Sequence, residues 1–351
     1  MNYYKNKRIL LTGHTGFKGS WLTMVLLELG AEVFGYALEA EEHSLFRILK
    51  LDEKIDSHVA DVRDFEKLSS FSTNINPDII IHMAAQAIVR ESYKNPVYTY
   101  DVNVMGTVNI LETARRCSNL KSMLNVTTDK VYENNEENRL FNEEERLNGY
   151  DPYSNSKSCS ELVTDSFRKS FLNNIAVSTV RSGNVIGGGD FSTDRILPDC
   201  ARAAAAGERI LVRNPSSVRP YQHVLDTLFA YLMIISAQEA DKSLSGAYNI
   251  GPDENDCITT GQIADYFCNS YGDSVSWYIQ ADENQPHEAG TLKLDNSKIK
   301  ETLNWKNHWG IEEAVTQTAV WYKAFAGRKD MREITLKQIT EHGLVRHFIE
   351  V

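Results

Sequence analysis

Short apolar runs alternate with helix-period segments through the first half of the chain. Arg8–Thr12 (RILLT) reads as a buried strand that stops at a glycine. In Ser20–Leu29, Trp21, Val25 and Leu29 fall on one side of a helix that Gly30 ends. Glu32–Leu38, Ile55–Ala60 and Asp78–His82 repeat the strand pattern, with a polar, periodic segment near Arg63–Phe71 between the last two. Val97–Arg116 predicts a long helix, Lys121–Thr127 a strand, Tyr153–Phe171 a helix and Ala176–Arg181 a further strand. Strands alternating with helices in this way predict an α/β fold built on a parallel, doubly wound sheet covered on both faces.

After Gly183 the pattern loosens. Gly187-Gly188-Gly189 before Asp190 must be a loop, and Ile210–Arg213, Leu225–Ala237 and Ala247–Ile250 are the clearest later elements. This predicts a cofactor-binding part over 1–183, to which part of 222–250 returns. A smaller, mostly substrate-binding α/β part follows over 184–328. Residues 329–351 read as a polar, helix-prone tail without an assigned function.

A length of 351 residues fits one large or two closely joined domains. With 24% charged and 42% hydrophobic residues, the chain is neither a disordered tail protein nor a fibrous repeat. The net charge of −11 argues against nucleic acid or an acidic membrane surface as partner, while leaving room for a local basic pocket. The longest apolar stretch, Leu228–Ile235, is far short of the ~20 residues of a membrane span, and the polar Met1–Arg8 does not read as a signal peptide. Cys117, Cys159, Cys200, Cys257 and Cys268 are odd in number and form no CxxC, so a reduced cytoplasmic setting is expected. His287-Glu288 lacks a third spaced ligand, so no metal is expected.

The first strand runs into Gly13-His14-Thr15-Gly16-Phe17-Lys18-Gly19, a GxxGxxG loop that opens the first helix. Glycines let the backbone approach a pyrophosphate, and the helix N-terminus favours its charge, so the loop predicts dinucleotide binding. Asp61-Val62 after the third strand either holds an adenine or caps the next helix. Ala84-Ala85-Gln86 either lies against the cofactor or packs as small residues. The end of the second strand, Gly35-Tyr36-Ala37-Leu38, carries neither Asp nor Arg. Glu39, Glu41 and Glu42 come before Arg47 and would repel a 2′-phosphate, which favours NAD over NADP.

Tyr153 and Lys157 form YxxxK on one helix face, where an ammonium would favour the phenolate and make Tyr153 a base toward a sugar hydroxyl. Thr127-Thr128-Asp129-Lys130 ends a parallel strand, the edge at which doubly wound sheets bind ligands. Thr128 can hydrogen-bond the reacting hydroxyl, Asp129 can serve as general acid, and Lys130 as base or electrostatic clamp. Asn184, Asp194, Arg195, Arg213 and Arg219 gather polar and basic groups suited to a phosphorylated substrate. His223 and Asp226 are ligand contacts or polar ends of a helix.

Taken together these residues resemble the extended short-chain dehydrogenase/reductase family. The resemblance rests on GHTGFKGSWL (Gly13–Leu22), HMAAQAIVR (His82–Arg90), NVMGTV (Asn103–Val108), TTDKVYEN (Thr127–Asn134), YDPYSNSK (Tyr150–Lys157), RSGNVIGGGDF (Arg181–Phe191) and VRPYQHV (Val218–Val224). PHEA (Pro286–Ala289) and LKLDNSK (Leu292–Lys298) extend it nearly to the tail. It implies a Rossmann-type cofactor domain and a nucleotide-sugar 4,6-dehydratase activity with bound NAD, redox-neutral overall, on CDP-D-glucose in deoxysugar synthesis. It also implies Asn103, Thr127 and Ser182 as cofactor contacts, Arg90, Tyr221 and His287 as substrate contacts, and a homodimer or homotetramer built on the helices at Val97–Arg116 and Tyr153–Phe171. Many nucleotide-sugar dehydratases of the family carry Thr-Asp-Glu; Lys130 instead is the pattern of the branch that takes CDP-glucose. Tyr221 stands where that branch has Trp. The same scaffold also serves 4-epimerases and reductases, which need neither Asp129 nor Lys130, and a non-catalytic NAD-binding protein is the remaining reading.

Overall fold

The computed structural model describes residues 2–135, 139–272, 274–279 and 292–350. In chain order its main elements begin with β1 (Arg8–Thr12), α1 (Phe17–Glu28), β2 (Glu32–Ala37), β3 (Asp56–Val59), α2 (Phe65–Ile75) and β4 (Ile79–His82). Next come α3 (Gly106–Arg116), β5 (Ser122–Val126), α4 (Pro152–Ser170), β6 (Ala176–Ser182), β7 (Asn184–Ile186) and α5 (Ile196–Ala206). The chain continues with β8 (Tyr221–His223), α6 (Val224–Ala240), β9 (Ala247–Ile250), α7 (Thr260–Tyr271), α8 (Ile311–Ala326), α9 (Met331–His342) and α10 (Leu344–Glu350).

A seven-stranded sheet in the order β9-β6-β5-β4-β1-β2-β3 is parallel throughout. All residues of β4 and β5 are buried, as expected for strands covered on both faces. One apolar layer holds Leu10, Ile80, Met123, Leu111 and Val177; the other holds Ile9, Leu11, Ile81, Leu124 and Trp21. The segment over 222–250 does return to the sheet. Helix α6 packs over β5 and β6, and β9 pairs with β6 from Ala247 to Ile250. Beside the sheet, β7 and β8 form a small parallel pair.

Two elements differ from the sequence reading. The long helix predicted at Val97–Arg116 is interrupted: Pro96–Tyr100 is α-helical, Asp101–Met105 is a π-turn, and α3 resumes at Gly106. The wider turn coincides with Asn103 bonding inward, to the backbone N–H and C=O of Gln86 and to Ser156 Oγ. The second difference lies after Arg328. The expected polar tail forms α9 and α10, which bury Met331, Ile339, Leu344 and Phe348. Phe348 packs edge-on to Tyr4 at 5.2 Å, and the Tyr4 hydroxyl donates to Leu232 O at 2.5 Å. Apolar positions in that segment are sparse and interrupted by charges, which hid the buried stripe.

Candidate active site

The glycine loop joins β1 to α1. Gly13 has φ +75°, and a Cβ there would lie 2.8 Å from Ala84 N, so the loop and the Ala84-Ala85-Gln86 segment touch backbone to backbone. A Cβ at Gly19 would lie 2.3 Å from Gly13 O. Gly16 is different. Its backbone (φ −78°, ψ 174°) suits any residue, and a Cβ would meet only Gly13 O, at 3.4 Å. The fold does not require glycine there, but a phosphate resting on the backbone N–H groups would. Thr15 Oγ1 donates to Leu38 O at 3.1 Å and Phe17 lies against the Gly187 backbone, so both side chains shape the loop.

Two amines point into this region. Lys18 reaches Tyr231 OH at 3.4 Å; burial, aided by Arg195, pulls its pKa down to about 8. Lys157 donates to Val126 O at 3.0 Å, and burial, aided by Lys18, pulls its pKa down to about 7. Two partly desolvated amines close enough to repel each other suit an anionic ligand. Nearby, Ser182 Oγ lies 3.2 Å from Tyr231 OH.

At the carboxyl end of β5, Thr128 Oγ1 donates to Asp129 Oδ1 at 3.0 Å, and Lys130 Nζ lies 3.2 Å from the same oxygen. Asp129 is 1% exposed. A Cβ on Gly183 would sit 3.2 Å from Asp129 Oδ2, so the chain entering β7 passes close by. Tyr153 lies in the first turn of α4 behind the Asp151 cap, close enough to Thr128 and Lys130 for both to act on its phenol. The structure therefore brings Thr128, Asp129, Lys130 and Tyr153 together. Tyr153 and Lys157 share α4 at i, i+4 spacing, and the lysine donates to Val126 O. Burial raises the Tyr153 pKa; Thr128 and Lys130 pull it back, and Asp129 raises it further. Burial pulls Lys130 down, yet Asp129 and Tyr153 outweigh it and the net shift is upward.

The basic groups expected around a substrate form one cluster. Asp194, at φ +62°, is shared by Arg213 at 2.9 Å and Arg90 at 3.4 Å, while Arg195 reaches Asp190 at 2.8 Å. Arg219 acts electrostatically on both Lys130 and Tyr221. Tyr221 is 6% exposed; burial raises its pKa, and Thr260, Arg219 and Asn184 pull it back.

The family model described as GDP-mannose 4,6 dehydratase matches residues 10–318. The chain belongs to the GDP-mannose 4,6-dehydratase family. It is 43% identical to the CDP-glucose 4,6-dehydratase of Salmonella typhimurium over 97% of each protein. Among solved structures, the UDP-glucose 4-epimerase of Thermotoga maritima superposes with a TM-score of 0.79 at 20% identity, covering 91% of this chain and 99% of that one. The dTDP-glucose 4,6-dehydratase of Bacillus anthracis, solved with NAD, gives 0.77 at 20% identity over 92% and 98%. These two likenesses establish the fold.

Within this dehydratase-family frame, several side chains singled out in the sequence turn inward. Asn103 braces Gln86 and Ser156 as described, and the Gln86 amide donates to Thr99 Oγ1 at 2.9 Å. Thr127 Oγ1 is engaged by Glu161 and Val180 O. Asp61 pairs with Arg63 at 2.7 Å, and the cap of α2 is Asp64 instead; Val62 packs under Gly106. His223 is fully buried, caps α6 through Nδ1 and lies between Trp21 and Trp309. Of the two roles the sequence allows, the structure displays the polar helix end. His287 lies outside the described residues. Arg47 at the end of the β2 region pairs with Glu39 and with Asp52.

One group the sequence reading missed is Glu161. It is 3% exposed on α4 and accepts from Thr127 Oγ1, from Thr179 Oγ1 at 2.6 Å, and from Arg181 at 2.9 and 3.0 Å. Arg181 continues to Tyr132 OH at 2.9 Å and Glu143 O at 3.0 Å. This buried pair anchors the strand end from which Thr128–Lys130 project. Its signal was available: Glu161 is four residues beyond Lys157, so it shares that helix face.

Proposed function

We propose that this chain catalyses the NAD-dependent 4,6-dehydration of CDP-D-glucose to CDP-4-dehydro-6-deoxy-D-glucose, a hydro-lyase reaction of deoxysugar synthesis. The observation that carries the reading is the Thr128–Asp129–Lys130 cluster, held against Tyr153 at the end of β5. A 4-epimerase needs only the hydroxyl chemistry; an acid and a cation beside it supply what elimination adds. The 43% identity to a CDP-glucose 4,6-dehydratase supports the same nucleotide.

Gly13, Gly16, Gly19, Lys18 and Lys157 are the groups that would hold NAD, and Gly16 in particular fits a pyrophosphate. Bound NAD supplies the hydride acceptor at C4 and the hydride donor at C6. Tyr153 takes the C4 hydroxyl proton, and Thr128 can hydrogen-bond the same reacting hydroxyl. The 4-ketone acidifies C5. Asp129 protonates the departing C6 oxygen, and the C5 proton is taken on elimination and returned when hydride adds at C6, either by Lys130 or by a neighbouring base whose developing charge Lys130 stabilises. Arg90, Arg195, Arg213 and Arg219 suit the diphosphate. In this reading the seven-stranded sheet carries the cofactor, and the part from Asn184 onward, outside the returning 222–250 segment, carries the sugar nucleotide. Exposed Val97 before the π-turn, Met105 within it, Leu162 on α4 and Phe171 at its C-terminal end support a homodimer through this face. No helix among the described residues is long and apolar enough to cross a membrane, which agrees with a cytoplasmic enzyme. Incubation with CDP-, dTDP-, UDP- and GDP-sugars, followed by mass spectrometry, tests the proposal. Loss of one water from CDP-glucose is expected; epimerisation without loss of water overturns it.

A further inference from the structure

The first turn of α6, the segment before α8 and the last turn of α9 meet at Asp226, His308 and His342. One ligand atom from each lies within 4.8 Å of the other two. Asp226 Oδ1 accepts the backbone N–H of His308 at 2.6 Å and lies 3.1 Å from His342 Nε2 and 4.0 Å from His308 Nδ1. Asp226 and His342 are 0% and 2% exposed.

Buried polar atoms are normally paired, and these are not. Asp226 Oδ2 and both ring nitrogens of His342 lack a hydrogen-bond partner among the described residues. The 3.1 Å contact between His342 and Asp226 therefore lacks hydrogen-bond geometry, and a simple buried ion pair does not account for the arrangement. Nε2 of His223, whose ring packs on Trp309 while Trp309 packs on His342, is unpartnered as well.

One carboxylate and two imidazoles form a donor set of zinc and its neighbours. Metal–ligand bonds of ~2.0–2.1 Å in tetrahedral geometry place ligand atoms ~3.3 Å apart. The observed 3.1 and 4.0 Å separations, with a third of at most 4.8 Å, need closure of no more than ~1.5 Å around an ion. The His308 side chain, 32% exposed, gives an entry path and leaves a fourth position to water. The ligands are separated by 82 and 34 residues, so no short motif could show them.

We infer that Asp226, His308 and His342 form a site for a divalent transition metal of the zinc class, which ties the C-terminal helices to α6. The reaction proposed above uses none of the three ligands.

The test is a titration of the purified full chain, stripped with a chelator, with Co2+ and then Zn2+. One Co2+ should bind with the visible bands of four-coordinate cobalt, and one equivalent of Zn2+ should bleach them. At a hundredfold excess over Kd the melting temperature should rise by several degrees. His308→Ala, at a partly exposed position, should weaken binding at least tenfold, and Asp226→Asn should do the same. If Asp226→Asn fails to fold, His308→Ala decides alone. No uptake by the wild-type chain overturns the site. So does uptake that His308→Ala leaves unchanged, since it would then belong to other histidines among the nine in the chain.

Discussion

Glu161→Ala should unfold this protein more readily than any nearby surface change. The substitution strands a buried guanidinium and the Thr179 hydroxyl at once, because Glu161 accepts from Arg181 twice and from Thr179, while Thr127 keeps Val180 O. Arg181 keeps Tyr132 OH and Glu143 O, but neither carries a compensating charge. Removing one partner of a buried ion pair costs ~3–5 kcal/mol, which lowers the melting temperature by ~4–7 °C in a chain of this size. Replacing both partners, as Glu161→Met with Arg181→Met, removes the stranded charge and should recover most of the loss, leaving a deficit of about 1–2 kcal/mol. Urea unfolding of the wild type, both single variants and the double gives the coupling directly. A coupling of at least ~2 kcal/mol is expected. If Glu161→Ala costs under ~1 kcal/mol, or the two single losses simply add, the buried pair does not hold the end of β5 and the argument fails.

Tyr153→Phe should fold normally and lose at least ~10²-fold in kcat, the low end for removing a general base; retention of most activity would assign the proton to another group. An ordinary lysine, pKa ~10.4, is almost wholly protonated at neutral pH, and Lys130 is shifted further upward. Lys130→Ala should therefore weaken both halves of the reaction together, read in a single turnover in deuterated water; accumulation of a 4-keto sugar that keeps its C6 oxygen and C5 hydrogen would make Lys130 the base after all. The lowered pKa values of Lys157 and Lys18, about 7 and about 8 against 10.5, mean that the unfolded chain binds more protons than the native one between them. Their destabilising effect is full below the native values and fades by pH ~10.4. Stability of the cofactor-free chain, measured in urea, should thus rise from pH 7 to 9.5, and Lys157→Met should flatten the rise. The dinucleotide released on denaturing the purified protein should be NAD(H), given Glu39 beside Arg47 at the end of β2; mainly NADP(H) would refute that.

The alternation of strands and helices up to Ser182 was legible because each buried strand is a bounded apolar run and each crossover helix shows its own period. The glycine loop was legible for a related reason, since only glycine allows the backbone contacts at Gly13 and Gly19. What escaped depends on pairing across long separations. Asn103 breaks its helix to reach Gln86, and Lys157 bonds to Val126 O. Neither partner is marked by periodicity. Glu161 sat in plain view on the Lys157 face, but a carboxylate on a polar helix reads as solvated until Arg181 is known to lie against it. The helices after Arg328 were misread because their few apolar residues meet a surface assembled from the other end of the chain.

That meeting of ends has a consequence for biosynthesis. Tyr4, fully buried, is covered by Phe348, which emerges 344 residues later. At ~5–20 residues per second, synthesis leaves a gap of roughly 20–70 s between the two. Throughout that interval the nascent N-terminal strand has an uncovered apolar flank, however well the sheet behind it has formed. The ribosome-bound chain is thus a natural client for holdase chaperones. Truncations that spare every residue of the proposed active site but remove Phe348 would keep that client state open indefinitely, and would show themselves as aggregation and proteolysis rather than as a kinetic defect.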